Sequence, residues 1–235
     1  MDQVRCKQFL IVAIVLFLAW TTPAHAQQPL TVTTAKDAEG FIQTYYQGPR
    51  PQMVGTLIGV LHATAVLHTP NAIPPYIGFF SEVFAGKPDR LPEWQALIAK
   101  QAHPTKGILE WALSVSKDGG VIAIDGHSAA LNDMYWGAFF ASGDAKYVNK
   151  LIDQLRFIDE REQFELFGVG AASKWSLASN ARSHTKVRTI LDSAKQNADR
   201  RTQEIIVELL QTDPVRIRQE INETARLRWG GGRSR

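Results

Sequence analysis

Residues 144–155 read Asp144-Ala145-Lys146-Tyr147-Val148-Asn149-Lys150-Leu151-Ile152-Asp153-Gln154-Leu155, and this stretch sets the fold class. Tyr147, Val148, Leu151, Ile152 and Leu155 fall on one stripe at helical spacing, with Lys146, Lys150, Asp153 and Gln154 opposite. Asp144, just after Gly143, is suited to cap the first turn by accepting from its free N–H groups. The pattern predicts an amphipathic α-helix with one buried face.

The same periodicity continues outward in both directions. Upstream, Phe41, Ile42, Tyr45 and Tyr46 form one helical face before Gly48-Pro49, and Val54, Leu57, Ile58 and Leu61 form another after Pro51. Pro74 and Pro75 suit the first turn of a helix carrying Ile77, Phe79, Phe80, Val83 and Phe84, which has little polar face and belongs in the centre. Shorter helices are expected around Trp94, Leu97 and Ile98, and through Ile108, Leu109, Ala112 and Leu113. Lys117 to Ser128 is the least helical part. There Val121, Ile122 and Ile124 form either a short strand or a loop that dips into the core. Met134 to Phe140 resumes an apolar helix. Downstream of residue 155, Phe164, Phe167, Ala171, Trp175 and Ala178 mark one helix. Val187 through Leu209 marks the longest, and Asp213-Pro214 starts a last one carrying Val215, Ile221 and Leu227. The fold class is therefore all-α, with short helices and Pro/Gly turns that stack as hairpins, either in a solenoid-like array or in an irregular bundle.

The N-terminus has a different character. Arg5 and Lys7 precede an apolar run of twelve residues, Phe9 to Trp20, and Pro23 and Ala24-His25-Ala26 follow. This is the order of a secretory signal peptide, with cleavage expected after Ala26, and the run falls short of the roughly 20 residues that span a bilayer. The sole cysteine, Cys6, lies within that segment, so the exported body from residue 27 onward has no disulfide. Export to the periplasm or the medium is the expected location.

Charge is unevenly distributed. Residues 27–181 carry twelve Lys/Arg against fifteen Asp/Glu, whereas residues 182–235 carry twelve against seven. The basic end finishes in Arg226, Arg228, Arg233 and Arg235 around Gly230-Gly231-Gly232, and residues 226–235 read as a flexible tail. Such a tail is either simply solvated or makes weak contact with an anionic membrane surface. Nucleic acid is not an expected partner for an exported chain.

Gly78-Phe79-Phe80-Ser81-Glu82-Val83-Phe84, followed by Pro88 and Trp94, resembles a group of secreted, α-helical proteobacterial proteins of unknown function, as does Asp133-Met134-Tyr135-Trp136-Gly137-Ala138-Phe139-Phe140-Ala141-Ser142-Gly143-Asp144. The resemblance spans roughly residues 40–180. It implies an exported helical protein of bacterial type and carries no chemistry or substrate with it.

Motifs that would force a chemistry are few. His62, His68, His103, His127 and His184 never stand four apart, so no helical metal pair arises and no metal or cofactor is expected. Asp125-Gly126-His127-Ser128 places an acid, a base and a hydroxyl together, but neighbours point apart and triads assemble from distant segments. A turn leading to an N-cap at Ser128 accounts for it. Gly168-Val169-Gly170 has no preceding strand and reads as a place where helices pack closely. No catalytic residue is assigned.

Four residues remain as candidates for ligand contact. Phe80 and Trp136 belong to aromatic stripes that either fill the core or line an apolar pocket between their two helices. Glu82 and Asp133 are carboxylates set in apolar segments, where each needs a hydrogen-bond partner or a raised pKa. The leading expectation is a non-catalytic, exported interaction or scaffold domain of the cell envelope that binds another envelope protein. Two alternatives stand beside it: a binding protein for an apolar or acyl small molecule, and a hydrolase that pairs Asp133 or Glu82 with a histidine from another helix.

Overall fold

Thr34 opens the first helix by a reciprocal cap. Its hydroxyl accepts from the Asp37 N–H at 3.1 Å while the Asp37 carboxylate accepts from the Thr34 N–H at 2.9 Å. The computed structural model describes residues 31–230. The signal-peptide segment, Cys6, the Ala26 cleavage site, Arg233 and Arg235 lie outside the described residues. Within them the chain is all-helical: eleven α-helices joined by turns and short 3-10 segments, with no strand. None of these helices is long and apolar enough to cross a membrane.

Two helices make the centre. α3 (Ile73–Ala85) and α6 (Ala129–Ser142) are apolar on nearly every side, and Ile77, Phe79, Phe80, Phe84 and Phe139 are fully buried along them. They cross at Gly78 and Gly137. A Cβ on Gly78 would run into the Met134 carbonyl, and one on Gly137 into the Pro75 carbonyl and the Phe79 N–H. Backbone therefore lies against backbone, a contact that only glycine permits. The C-terminal turns of both helices line the same cleft.

Other elements close around this pair. α1 (Ala35–Thr44) covers α6 and is itself packed by α2 (Val54–Ala63), and α5 (Thr105–Lys117) packs along α3. α4 (Leu91–Ala99) inserts Trp94, whose ring lies 5.3 Å from that of Phe84. Between α5 and α6 the chain forms a 3-10 turn, Val121–Ala123, with Val121 fully buried, so this segment takes the loop form rather than the strand. Ser128 caps α6, its Oγ accepting from the Leu131 N–H at 3.0 Å, and Asp144 caps α7 (Ala145–Gln154) by accepting from the Lys146 N–H at 2.9 Å. Both caps stand where the sequence places them.

α8 (Phe164–Ser183) is joined to α6 by Asn132, whose Nδ2 donates to the Val169 carbonyl and to the Ser173 hydroxyl at 3.0 and 3.1 Å. Of the pair read as packing glycines, only Gly170 serves: a Cβ there would meet the backbone of Phe157 and Ile158, while the site of a Gly168 Cβ is open. The long helix expected over Val187–Leu209 is two, α9 (Thr185–Lys195) and α10 (Arg200–Gln211), and α8 is longer than either. Asp199 makes the break, its carboxylate accepting from the N–H groups of Arg201 and Thr202 and restarting the helix.

α11 (Pro214–Trp229) corrects two expectations. The basic tail was expected from Arg226, but residues 226–229 are the last turn of this helix. Trp229 packs on Phe167 at 4.8 Å, and Arg228 Nη1 donates to the Ile158 and Glu160 carbonyls at 3.2 and 2.8 Å. Arg228 is thus tied into the fold. Second, the buried face of α11 is Ile217 with Ile221, whereas Val215 and Leu227 are 65% and 69% exposed. Arg228→Ala should lower unfolding stability by about 1–2 kcal/mol, because two carbonyls lose a charged donor at a half-exposed site. Urea denaturation checks this; an unchanged midpoint would show that α11 is not anchored there.

Candidate functional site

Glu82 is the last acidic group of α3, one turn before the chain leaves the helix at Gly86, and it is half-buried. Its position on the side turned toward α6 places it in a cleft of about 380 Å³, formed with Tyr45, Pro49, Val83, Ala85, Gly86, Lys87, Ala141 and Ser142. The walls are mainly apolar. The cleft lies against the final turns of α3 and α6, where helix carbonyls carry partial negative charge.

One oxygen of Glu82 is turned inward. A Cβ on Gly120 would stand 3.0 Å from Glu82 Oε1 and 4.0 Å from the Tyr147 hydroxyl, so the carboxylate and the phenol converge beside this glycine. Gly120 has φ +79°, a backbone state that favours glycine. Burial pushes the Tyr147 hydroxyl well above its usual range, and the Glu82 carboxylate pushes it further. The buried hydroxyl interacts with the Glu82 carboxylate, whose Oε1 turns toward it beside Gly120. No cation pairs with Glu82 among the described residues. Lys87 lines the same cleft without reaching the carboxylate, and Arg90, near Tyr45, is held by Glu93 through Nε and Nη2 at 2.8–3.0 Å.

The other three candidate residues lie elsewhere. Phe80 is fully buried, edge-on to Phe79 at 5.4 Å and stacked on Phe84 at 5.8 Å. Trp136 is 5% exposed and packs on Phe139 and Phe140. Both are core, and neither lines the Glu82 cleft: Phe80 packs on rings of α3 and Trp136 on rings of α6. Asp133 lies one turn before the helix crossing and Glu82 one turn after it, so the two carboxylates do not meet. The Asp133 residue is exposed, yet the density of protein around it, with no donor bound, pushes its carboxyl up to about 6. Water reaching this exposed carboxylate limits the rise.

The histidines are placed for structure. His62 Nδ1 lies 3.0 Å from the buried Thr105 hydroxyl, His127 Nε2 3.3 Å from Arg156, and His184 Nδ1 3.2 Å from the Tyr46 hydroxyl. None bonds a carboxylate among the described residues, and no group of three His, Cys, Asp or Glu is positioned there to hold a metal ion.

His184 is buried between α8 and α9, with the rings of Tyr46 and Phe140 around it, and Lys186 lies over the Tyr46 ring. Burial holds its pKa below 6.5, so the folded state prefers neutral imidazole. An unfolded chain takes up this proton first as pH falls, so the stability is complete above pH 6.5 and declines below it. The urea midpoint should therefore drop between pH 7.5 and 5.5, and drop less in His184→Asn. Equal drops in both proteins would remove His184 from the acid response.

No protein-family model, curated protein or solved structure matches the chain. Function therefore rests on the site's own geometry. Sequence reasoning reached Glu82 but missed Tyr147, Gly120, Tyr45 and Lys87. Tyr147 reads as one more apolar stripe residue, and Asp118-Gly119-Gly120 as a turn, because only the packing of α3, α6 and α7 brings them together.

Proposed function

We propose that this chain is a non-catalytic, exported helical domain of the cell envelope that holds a partner through the Glu82 cleft. The observation that carries the reading is the cleft itself: open, mostly apolar, with one carboxylate that forms no ion pair among the described residues. Groups that a hydrolase would need are dispersed, since each bonded histidine meets a hydroxyl or an arginine. The acyl-ligand alternative loses its support because Phe80 and Trp136 pack against their neighbours. Contact of α3 with α6 across two intervening helices favours an irregular bundle over a solenoid, in which neighbouring repeats pair. Export, and kinship with secreted proteobacterial helical proteins, rest on the N-terminal pattern and the two aromatic motifs.

A photo-crosslinking side chain at exposed Ala85, on the cleft wall, tests this in the native host. A discrete crosslinked product is expected from Ala85 and not from equally exposed Lys117 on α5. Identical patterns from both positions would overturn the assignment of the cleft as the receiving site.

A further inference from the structure

We propose that the Glu82 cleft is selective for an organic ammonium group carried on an apolar stem, such as a small amine or a lysine side chain. This rests on reading the cleft as the receiving site, and it names the chemistry received. Three features lead to it.

The first is charge without a partner. Glu82 is half-buried and its carboxylate has no ion pair among the described residues: Lys87 lines the wall unpaired with it, and Arg90, near Tyr45, is taken by Glu93. The second is the helix ends. The last turns of α3 and α6 meet here, and their carbonyls add partial negative charge that favours a cation over an anion. Lys186, which stands close to Gly143 at the end of α6, is engaged over the Tyr46 ring rather than over Glu82. The third is shape. Tyr45, Pro49, Val83, Ala85 and Ala141 give an apolar wall suited to a hydrocarbon stem, within a volume of about 380 Å³.

The inward turn of Oε1 toward Gly120 and Tyr147 leaves one carboxylate oxygen for the ligand. A guanidinium fork is best matched by two oxygens, whereas an ammonium is a compact point charge that needs one. The Tyr147 hydroxyl, buried behind that carboxylate, interacts with it and favours this division of its two oxygens.

The test uses the purified domain and backbone amide shifts, titrated with 2-phenylethylamine, 2-phenylethanol and 3-phenylpropanoate, which share a stem and differ in head group. The amine should bind at least about tenfold tighter than the alcohol, a difference of about 1.4 kcal/mol, with shifts centred on Ala85, Gly86 and Ser142. Phenylpropanoate should bind weakest. Glu82→Gln should abolish the preference of amine over alcohol, and Ala85→Trp should block all three. Nα-acetyl-lysine N-methylamide separates the sources: tighter binding than 2-phenylethylamine indicates a partner's lysine, weaker binding a free amine. Equal binding of amine and alcohol at these amides would overturn the ammonium selectivity while leaving the cleft as a site. A preference surviving in Glu82→Gln would do the same. No shift from any probe would overturn both.

Discussion

Gly137→Ala should cost about 3 kcal/mol of unfolding free energy, the upper end of what overpacking a closed core usually produces. The added methyl has nowhere to go: it would meet the Pro75 carbonyl and the Phe79 N–H, which are backbone atoms held in the hydrogen-bonded ladder of α3. A side chain can turn aside, whereas these atoms move only if α3 moves as a whole. Gly78→Ala should behave alike against Met134. Gly40→Ala and Gly168→Ala are the controls, since both are helical positions with open space, and each should be neutral or stabilise by up to about 1 kcal/mol. Urea denaturation of the four variants makes the comparison. If Gly137→Ala and Gly168→Ala unfolded at the same midpoint, the α3–α6 crossing would not be as described. Because α3 and α6 together shape the Glu82 cleft, loosening the crossing should also weaken anything that binds there.

Trp136→Ala should cost about 3–5 kcal/mol, the range for removing a large aromatic side chain from a core. The indole contacts Phe139 edge-on at 6.0 Å and stacks on Phe140 at 5.8 Å, and Phe140 in turn lies 5.2 Å from His184, so the cavity would open beneath the junction of α8 and α9. Trp136→Phe should cost much less. It keeps a ring in place and removes an indole N–H that is buried without a partner. Had Trp136 lined a ligand site, alanine would reduce binding and leave stability intact. A stable Trp136→Ala protein would restore that view.

Legibility followed the range of the interaction. Local signals were reliable: the α7 stripe, the caps at Ser128, Asp144 and Asp213, and the buried character of α3 depend on residues within a few turns of one another. Where the break depended on a single cap, at Asp199, continuous apolar spacing on both sides concealed it. Val215 and Leu227 stand beside Ile221 in the apolar pattern of α11, yet Ile217 and Ile221 set the face that docks. A helix with few apolar residues has no dominant stripe, and only its neighbours choose which side is covered. The crossing glycines were harder still. Gly78 and Gly137 sit inside strong aromatic motifs, and nothing local distinguishes them from Gly40 or Gly168. Glu82 was visible as a carboxylate out of place in an apolar helix, but its surroundings come from three other segments of the chain.

The measurement that bears most directly on the account is native mass spectrometry of the protein gently purified from its own host's envelope fraction, alongside Ala85→Trp. Wild type is expected to begin at residue 27 and to carry an additional bound mass, which Ala85→Trp lacks while remaining folded. Bare chains in both samples, or the same bound mass in both, would contradict the Glu82 cleft as the working site, and a chain still carrying residues 1–26 would contradict export.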